Sequence, residues 1–272
     1  MRRFTQPGNG SVNTWILEGE ETVVVIDTQR SLSAGREAAA QVAAIGKPVA
    51  AILLTHPHPD HFGGLQSFLE VFPDAPVYAS EATGRVMAND ENGLVAATKA
   101  VLGSDAPDQQ PLPTRFFNDG QEIVYSDIRL IVDDIGQGEA ATMSMFYASS
   151  INALFTGDVV DNAMTPFMME GHTVDWLAQI EAISNDYGER DPTIFPGHGA
   201  QGSMALFDEM QQLISWVHRQ IKKRATDGLD DAEIVEILAE YNARYRNYPP
   251  VAAIPNLMRE NIRVVAAELG AR

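Results

Sequence analysis

His56-Pro57-His58-Pro59-Asp60-His61 gathers three of the chain's six histidines and one carboxylate into six residues. The stretch follows an apolar run, Val49 to Leu54, that reads as a buried strand. In extended backbone successive side chains alternate faces, so His56, His58 and Asp60 can point the same way while His61 projects elsewhere. One short turn could then serve two metal ions, with His56 and His58 on one and Asp60 and His61 on the other. Imidazole and carboxylate suit zinc, iron or manganese. Pro57 and Pro59 fix two φ angles and restrict the residues before them, so part of the ordering cost is met in advance.

The surrounding composition narrows the function classes. The chain has 272 residues, of which 45% are hydrophobic, enough for one large domain or a domain with an appendage. Lys and Arg number 19 against 37 Asp and Glu, a formal charge of −18. That balance opposes binding to nucleic acid or to an anionic membrane. The absence of cysteine excludes disulfides, thiolate metal sites and cysteine nucleophiles. No apolar run approaches the roughly 20 residues of a membrane span. Met1-Arg2-Arg3 is basic, but Phe4 to Asn13 is polar and Gly-rich rather than the apolar core of a signal peptide. A cytoplasmic location is expected, though a leader removed beforehand would leave no trace. Oligomeric state is not legible.

Strand and helix signals alternate through residue 203. Strands are expected at 14–17 and 22–26, paired across Glu18 to Glu21, and at 49–54, 76–78, 122–125, 128–132, 142–147, 153–155 and 193–195. Helices are expected at 33–44, 62–71, 80–87 and 174–184. Residues 89–113, rich in Asp, Gly, Pro and Gln, read as a surface excursion with a helical patch near 95–102, either a flap or a plain loop. From Met204 the pattern is helical only, with Asn256 a candidate cap for the last helix. This division predicts a catalytic domain over 1–203 and a helical extension over 204–272. The segments 10–120 and 121–203 have similar content and could form a pseudo-repeat.

Two further segments end an apolar strand on a ligand type. Ala153-Leu154-Phe155 leads into Thr156-Gly157-Asp158, and Thr193-Ile194-Phe195 into Pro196-Gly197-His198-Gly199. With the histidine turn, Gly63-Gly64 and the upstream Val25-Ile26-Asp27-Thr28, residues 10–203 resemble the metallo-β-lactamase superfamily. The resemblance implies an α/β fold, a four-layer αββα sandwich with a metal pair between the sheets. It also implies that His56 and His58 ligate a first metal, that Asp60, His61 and His198 ligate a second, and that Asp158 bridges them. Asp27 matches a carboxylate supporting the histidine turn.

One position departs from the family. A third histidine for the first metal is expected in a Gly-x-Gly-His-type segment, but here the chain reads Gly136-Gln137-Gly138-Glu139-Ala140. Glu139 could ligate, giving a harder, anionic first site. The first site could instead be weak or empty, or Glu139 could act as a general base. With Asp60, Asp158 and a hydroxide, a ligating Glu139 balances two divalent cations, which moves the preference from zinc toward manganese or iron.

Beyond Asp158, Asn162 and His172 flank a segment, Met164 to Gly171, that reads either as an apolar substrate wall or as core. His218 reads as packing or surface, and Tyr241, Tyr245 and Tyr248, with Pro249 and Pro250, read as ordinary helix packing rather than as the border of a pocket in the helical tail. The resemblance implies a hydrolase in which a metal-bound hydroxide attacks the carbonyl of a small ester, thioester, lactone or related substrate, with Asp60 shuttling the proton. Two other classes stay open: an iron-dependent persulfide dioxygenase, and a non-catalytic binding protein with a degraded first site.

Overall fold

The computed structural model describes residues 1–8, 10–225 and 228–271. Two sheets face each other. The first runs in spatial order β1 (Arg2–Thr5), β2 (Asn13–Glu18), β3 (Val23–Ile26), β4 (Val49–Leu53), β5 (Val77–Ser80) and β6 (Arg115–Phe117). The second runs β11 (Thr193–Pro196), β10 (Ala153–Gly157), β9 (Met143–Ala148), β8 (Ile128–Gly136) and β7 (Glu122–Tyr125). Residues 2–117 therefore build one sheet and residues 122–196 the other. In the first sheet β3, β4, β5 and β6 are parallel; in the second only β10 and β11 are.

Strand alternation sorts the side chains into layers. Val24 and Ile26 of β3 point between the sheets, where they meet Phe146, Phe155 and Phe195. Val23 and Val25 point outward onto α1 (Leu32–Ala43) and α3 (Leu65–Val71) through Ala38, Ala39, Val42, Leu65 and Phe68. On the second sheet, Met143, Met145 and Tyr147 point outward onto α6 (Thr173–Tyr187), α7 (Ala205–Arg224), α8 (Asp231–Arg244) and α9 (Leu257–Glu268). The result is an αββα sandwich whose C-terminal helices share the outer core of the second sheet. No helix among the described residues is long and apolar enough to cross a membrane.

Remaining helices are short. The run expected as one helix at 62–71 is divided into α2 (Pro59–Phe62) and α3, with Gly63 and Gly64 between them. A Cβ on Gly64 would lie 2.1 Å from the Thr28 carbonyl oxygen and 2.7 Å from Gly35 Cα, so this glycine lets α3 close on α1 beneath the histidine turn. The excursion carries α4 (Glu81–Asn89) and α5 (Leu94–Leu102).

Strands β1 and β6 are additions to the sequence expectation. Both are edge strands. Phe4 is the only strongly apolar residue of β1, and it inserts beside α1, so the surrounding polar residues hide the strand. Asn256 adopts φ +56° and makes no side-chain capping bond, contrary to its expected role. The α8 start does carry a capping box, with Asp230 accepting from Glu233 N and Glu233 accepting from Asp230 N.

Candidate metal centre

The cluster lies where β4, β10 and β11 end. After Leu53 the chain bends at His56 and Pro57 before His58 resumes extended backbone (φ −87°, ψ 134°), and His56 and His58 turn to the same carboxylate, Glu139, as the alternation expects. Asp60 does not. Pro59 starts the helical turn α2, where its missing N–H costs nothing, and Asp60 and His61 leave from that turn. Asp60 therefore reaches the cluster by helical geometry, and the expectation of six extended residues is corrected on this point.

Three overlapping groups of ligand atoms each fall within 4.8 Å of one another: His56, His58 and Glu139; Asp60, His61 and His198; and His56, His61 and Asp158. Glu139 Oε1 lies 3.3 Å from His58 Nδ1, and Glu139 Oε2 lies 3.7 Å from His56 Nε2. His198 Nε2 lies 3.2 Å from Asp158 Oδ2 and 3.3 Å from Asp60 Oδ2. His61 Nε2 lies 3.3 Å from Asp158 Oδ1, and His56 Nε2 lies 4.0 Å from Asp158 Oδ2. All seven sequence-predicted ligand types thus converge, with Asp158 between the two outer groups.

Each imidazole is held by its other nitrogen. His61 Nδ1–H donates to Asp27 Oδ2 at 2.7 Å. His56 Nδ1–H donates to Thr55 Oγ1 at 2.9 Å, and that hydroxyl donates onward to Asp27 Oδ2 at 2.8 Å. His198 Nδ1–H donates to the Ser11 carbonyl. His58 Nε2–H donates to Glu170 Oε1 at 2.9 Å. The free nitrogens of His56, His61 and His198, both oxygens of Glu139 and Oδ1 of Asp158 are buried without a hydrogen-bond partner among the described residues. Buried polar atoms are rarely left so. A shared set of orphaned lone pairs fits divalent cations, with the tautomers fixed by outer partners.

Residues 7–198 match the family described as the Metallo-beta-lactamase superfamily. This chain belongs to that superfamily. A solved metallo-beta-lactamase from Pontibacter korlensis superposes with a TM-score of 0.62 at 21% identity, covering 78% of this chain and 93% of the other, a likeness of fold. An acyl-coenzyme A thioesterase, MBLAC2, of Gallus gallus is 29% identical over 217 residues, 73% of this chain and 76% of the relative. A probable metallo-hydrolase of Streptococcus pyogenes is 34% identical over 82 residues, 30% of this chain and 34% of the relative. For that protein and the next two curated relatives, the match spans about a third of the relative's length.

Within this superfamily member the electrostatics follow from crowding acids and imidazoles in a dry site. Burial pulls His61 and His198 down, but Asp158 chiefly outweighs it and holds both well above the ordinary histidine value. His56 stays well below it because burial and the charge of His61 dominate. Burial raises Glu139 to about 7, against the pull of His58. Asp158 is held well below the usual carboxylate range by His198 and His61 despite its burial. Nearby Asp161 was not singled out by sequence. It is buried, its oxygens lack hydrogen-bond partners among the described residues, and burial together with Asp158 raises it well above the ordinary value.

A cleft of about 170 Å³ opens onto the cluster. His58, Asp60, Glu139 and Asp158 form its floor. Leu94, Ala97, Val101 and Leu102 of α5 form one wall, while Phe167 and residues 251–254 form another. The excursion is therefore a cleft wall, and Phe167 lines the cleft while Met164 and Met168 are core. Residues 249–251 are fastened there: Thr165 N donates to the Pro249 carbonyl at 2.8 Å, and Tyr241 Oη donates to Thr165 Oγ1 at 2.9 Å. Neither Asn162 nor His172 lines the cleft. Asn162 braces the His198 turn, its backbone N–H donating to the His198 carbonyl at 3.1 Å and its Nδ2 to Ala200 O at 3.0 Å. His172 precedes α6 and makes no capping bond. Of the two expectations for the excursion, the flap is the one nearer the observed wall at 94–102, whereas the wall at 251–254 escaped sequence reading, as did Glu170, Ser11 and Thr55, because none sits in a local pattern of ligand types.

Proposed function

We propose that this chain is a metal-dependent hydrolase acting on a small ester, thioester or lactone with an apolar acyl part. The observation that carries the reading is the convergence of four oriented imidazoles and three carboxylates, among which His56, His61, His198, Glu139 and Asp158 carry buried atoms without a hydrogen-bond partner among the described residues. His56, His58 and Glu139 would hold a first divalent ion, Asp60, His61 and His198 a second, and Asp158 would touch both. Each ion would thus have two imidazoles and one carboxylate besides Asp158. Zinc accepts such donors, and the Glu139 carboxylate moves the first position toward manganese or iron. When bound, the pair would supply Lewis acidity, lowering the pKa of water and polarising a carbonyl.

The remaining work falls to the protein. Thr55, Asp27, Ser11 and Glu170 orient the ligands before substrate arrives. The walls at Leu94, Val101, Phe167, Val251 and Ile254 would exclude water and receive the apolar acyl part. Asp60 is the most open member of the set, with a side chain 24% exposed. That opening supports a role in passing a proton to the leaving group. The thioesterase name of one relative agrees with a thioester among the substrates.

The test is a hydrolysis screen of acyl thioesters, aryl esters and lactones with protein reconstituted separately with zinc, manganese and iron(II). The reading expects turnover of at least one class, abolished in both His58→Ala and Asp158→Ala. No turnover with any metal, or turnover unchanged in both variants, would overturn it.

A further inference from the structure

We propose that Glu170 is a positioning residue for the first metal and that it ties the α5 cleft wall to the ligand His58. This rests on the reading of His58 as a ligand given above. Among the four imidazoles, His58 alone is oriented by a residue of the loop that follows Asp158. His56 and His61 converge on Asp27 beside the first sheet, and His198 leans on Ser11. His58 leans on Glu170, three residues before α6.

Glu170 Oε1 accepts two hydrogen bonds at once. One comes from His58 Nε2 at 2.9 Å and the other from Asn92 Nδ2 at 2.7 Å. Asn92 stands in the turn between α4 and α5, and its Oδ1 accepts from Leu94 N, the first residue of α5, at 3.4 Å. No residue of α5 is buried, so packing alone holds this helix weakly over the cleft. One carboxylate oxygen is therefore common to the ring that would meet the metal and to the start of the wall that would meet the substrate. The Glu170 side chain is only 9% exposed, so little water competes for that oxygen. His58 Nδ1 faces Glu139 on the opposite side of the ring, which makes Nε2–H the tautomer the metal requires and Glu170 the group that selects it.

Four full-length proteins test this: wild type, Glu170→Ala, Glu170→Gln and Asn92→Ala. Zinc alone is titrated into each metal-free protein with a competing chelator, and imidazole tautomers are read by nitrogen NMR of the zinc-loaded protein. The expected result is about 10–100-fold weaker binding of one zinc equivalent in Glu170→Ala, with the second equivalent unchanged. The unchanged equivalent doubles as the check that the variant is folded. Glu170→Gln, which keeps an acceptor oxygen, should recover most of the loss, and Asn92→Ala should show a smaller loss of the same equivalent. The His58 signal should report Nε2–H in wild type and lose that uniform state in Glu170→Ala.

Wild type that binds two equivalents alongside a Glu170→Ala that binds both as tightly, with an unaltered His58 signal, would overturn this inference and leave the proposed function standing. Asn92→Ala identical to wild type would overturn the link to α5. Wild type that binds no zinc would overturn both the inference and the function beneath it.

Discussion

Glu139 Oε1 lies 3.3 Å from His58 Nδ1, the position from which a third imidazole would complete the first site in the family pattern. Burial alone gives no reason for a carboxylate with two unpartnered oxygens to sit here, because such a group is costly without a counter-charge. A cation between Glu139, His56 and His58 removes that cost. Glu139→Ala should weaken the first equivalent by more than the roughly 10–100-fold expected for loss of an outer partner. Elemental analysis after equilibrium dialysis against limiting zinc or manganese checks this. Unchanged stoichiometry and affinity would remove Glu139 from the ligand set. Glu139→His should shift the preference toward zinc over manganese.

Asp27 carries three donors: Thr55 N at 3.0 Å, Thr55 Oγ1 at 2.8 Å and His61 Nδ1 at 2.7 Å. It also adopts φ +59°, a left-handed conformation that Asn tolerates as well as Asp. Asp27→Asn therefore keeps the backbone and removes the charge and one acceptor. Metal affinity should fall about 10–100-fold, and thermal unfolding should show a loss of about 1–3 kcal/mol from the unsatisfied donors. A variant with wild-type affinity would show that the outer partners do not orient the ligands.

Gly197 packs against the cluster so closely that a Cβ would fall 1.9 Å from Asp158 Oδ1 and 2.8 Å from His61 Cε1. Gly197→Ala should displace Asp158 and weaken binding of both ions. Far-ultraviolet circular dichroism should stay close to wild type, since β11 remains paired with β10. Binding unchanged in this variant would contradict the position assigned to Asp158.

Outside the histidine–carboxylate cluster, His218 is buried and donates through Nε2 to Thr173 Oγ1 at 2.6 Å. Burial lowers its pKa, with Glu268 opposing and Lys222 assisting. The unfolded chain then binds the proton more readily than the folded one. The His218 contribution is thus complete above the ordinary value near 6.5 and is lost as pH falls through the lower folded value. Wild type should lose melting temperature over that acidic window faster than His218→Gln, measured on metal-free protein. Parallel pH profiles would show that His218 titrates alike in both states.

The sequence exposed this site to different depths. His56, His58 and His61 were legible because one short segment carries them, and Asp158 and His198 because each ends an apolar strand. Asp60 was placed beside His56 and His58 by extended alternation, whereas Pro59 begins a helical turn that carries it next to His61 and His198. Glu170 was not visible as an orienting group, since its partners Asn92 and His58 lie 78 and 112 residues away. The wall at 251–254 was hidden for the same reason: it reaches Phe167 only through the folding back of the C-terminal helices. Layer order was legible only through the family resemblance, since β3, β9 and β10 are buried on both faces and carry no polar alternation. The edge strands β1 and β6 were not, since each is short and flanked by polar or Pro-rich chain.

The most direct measurement is an anomalous difference map from crystals of protein reconstituted with manganese or zinc, recorded above and below the metal's absorption edge. Two peaks should appear, one touched by His56, His58 and Glu139, the other by Asp60, His61 and His198, with Asp158 between them. A map with no peak among these side chains, or with a single ion that Glu139 does not touch, would contradict the paired centre.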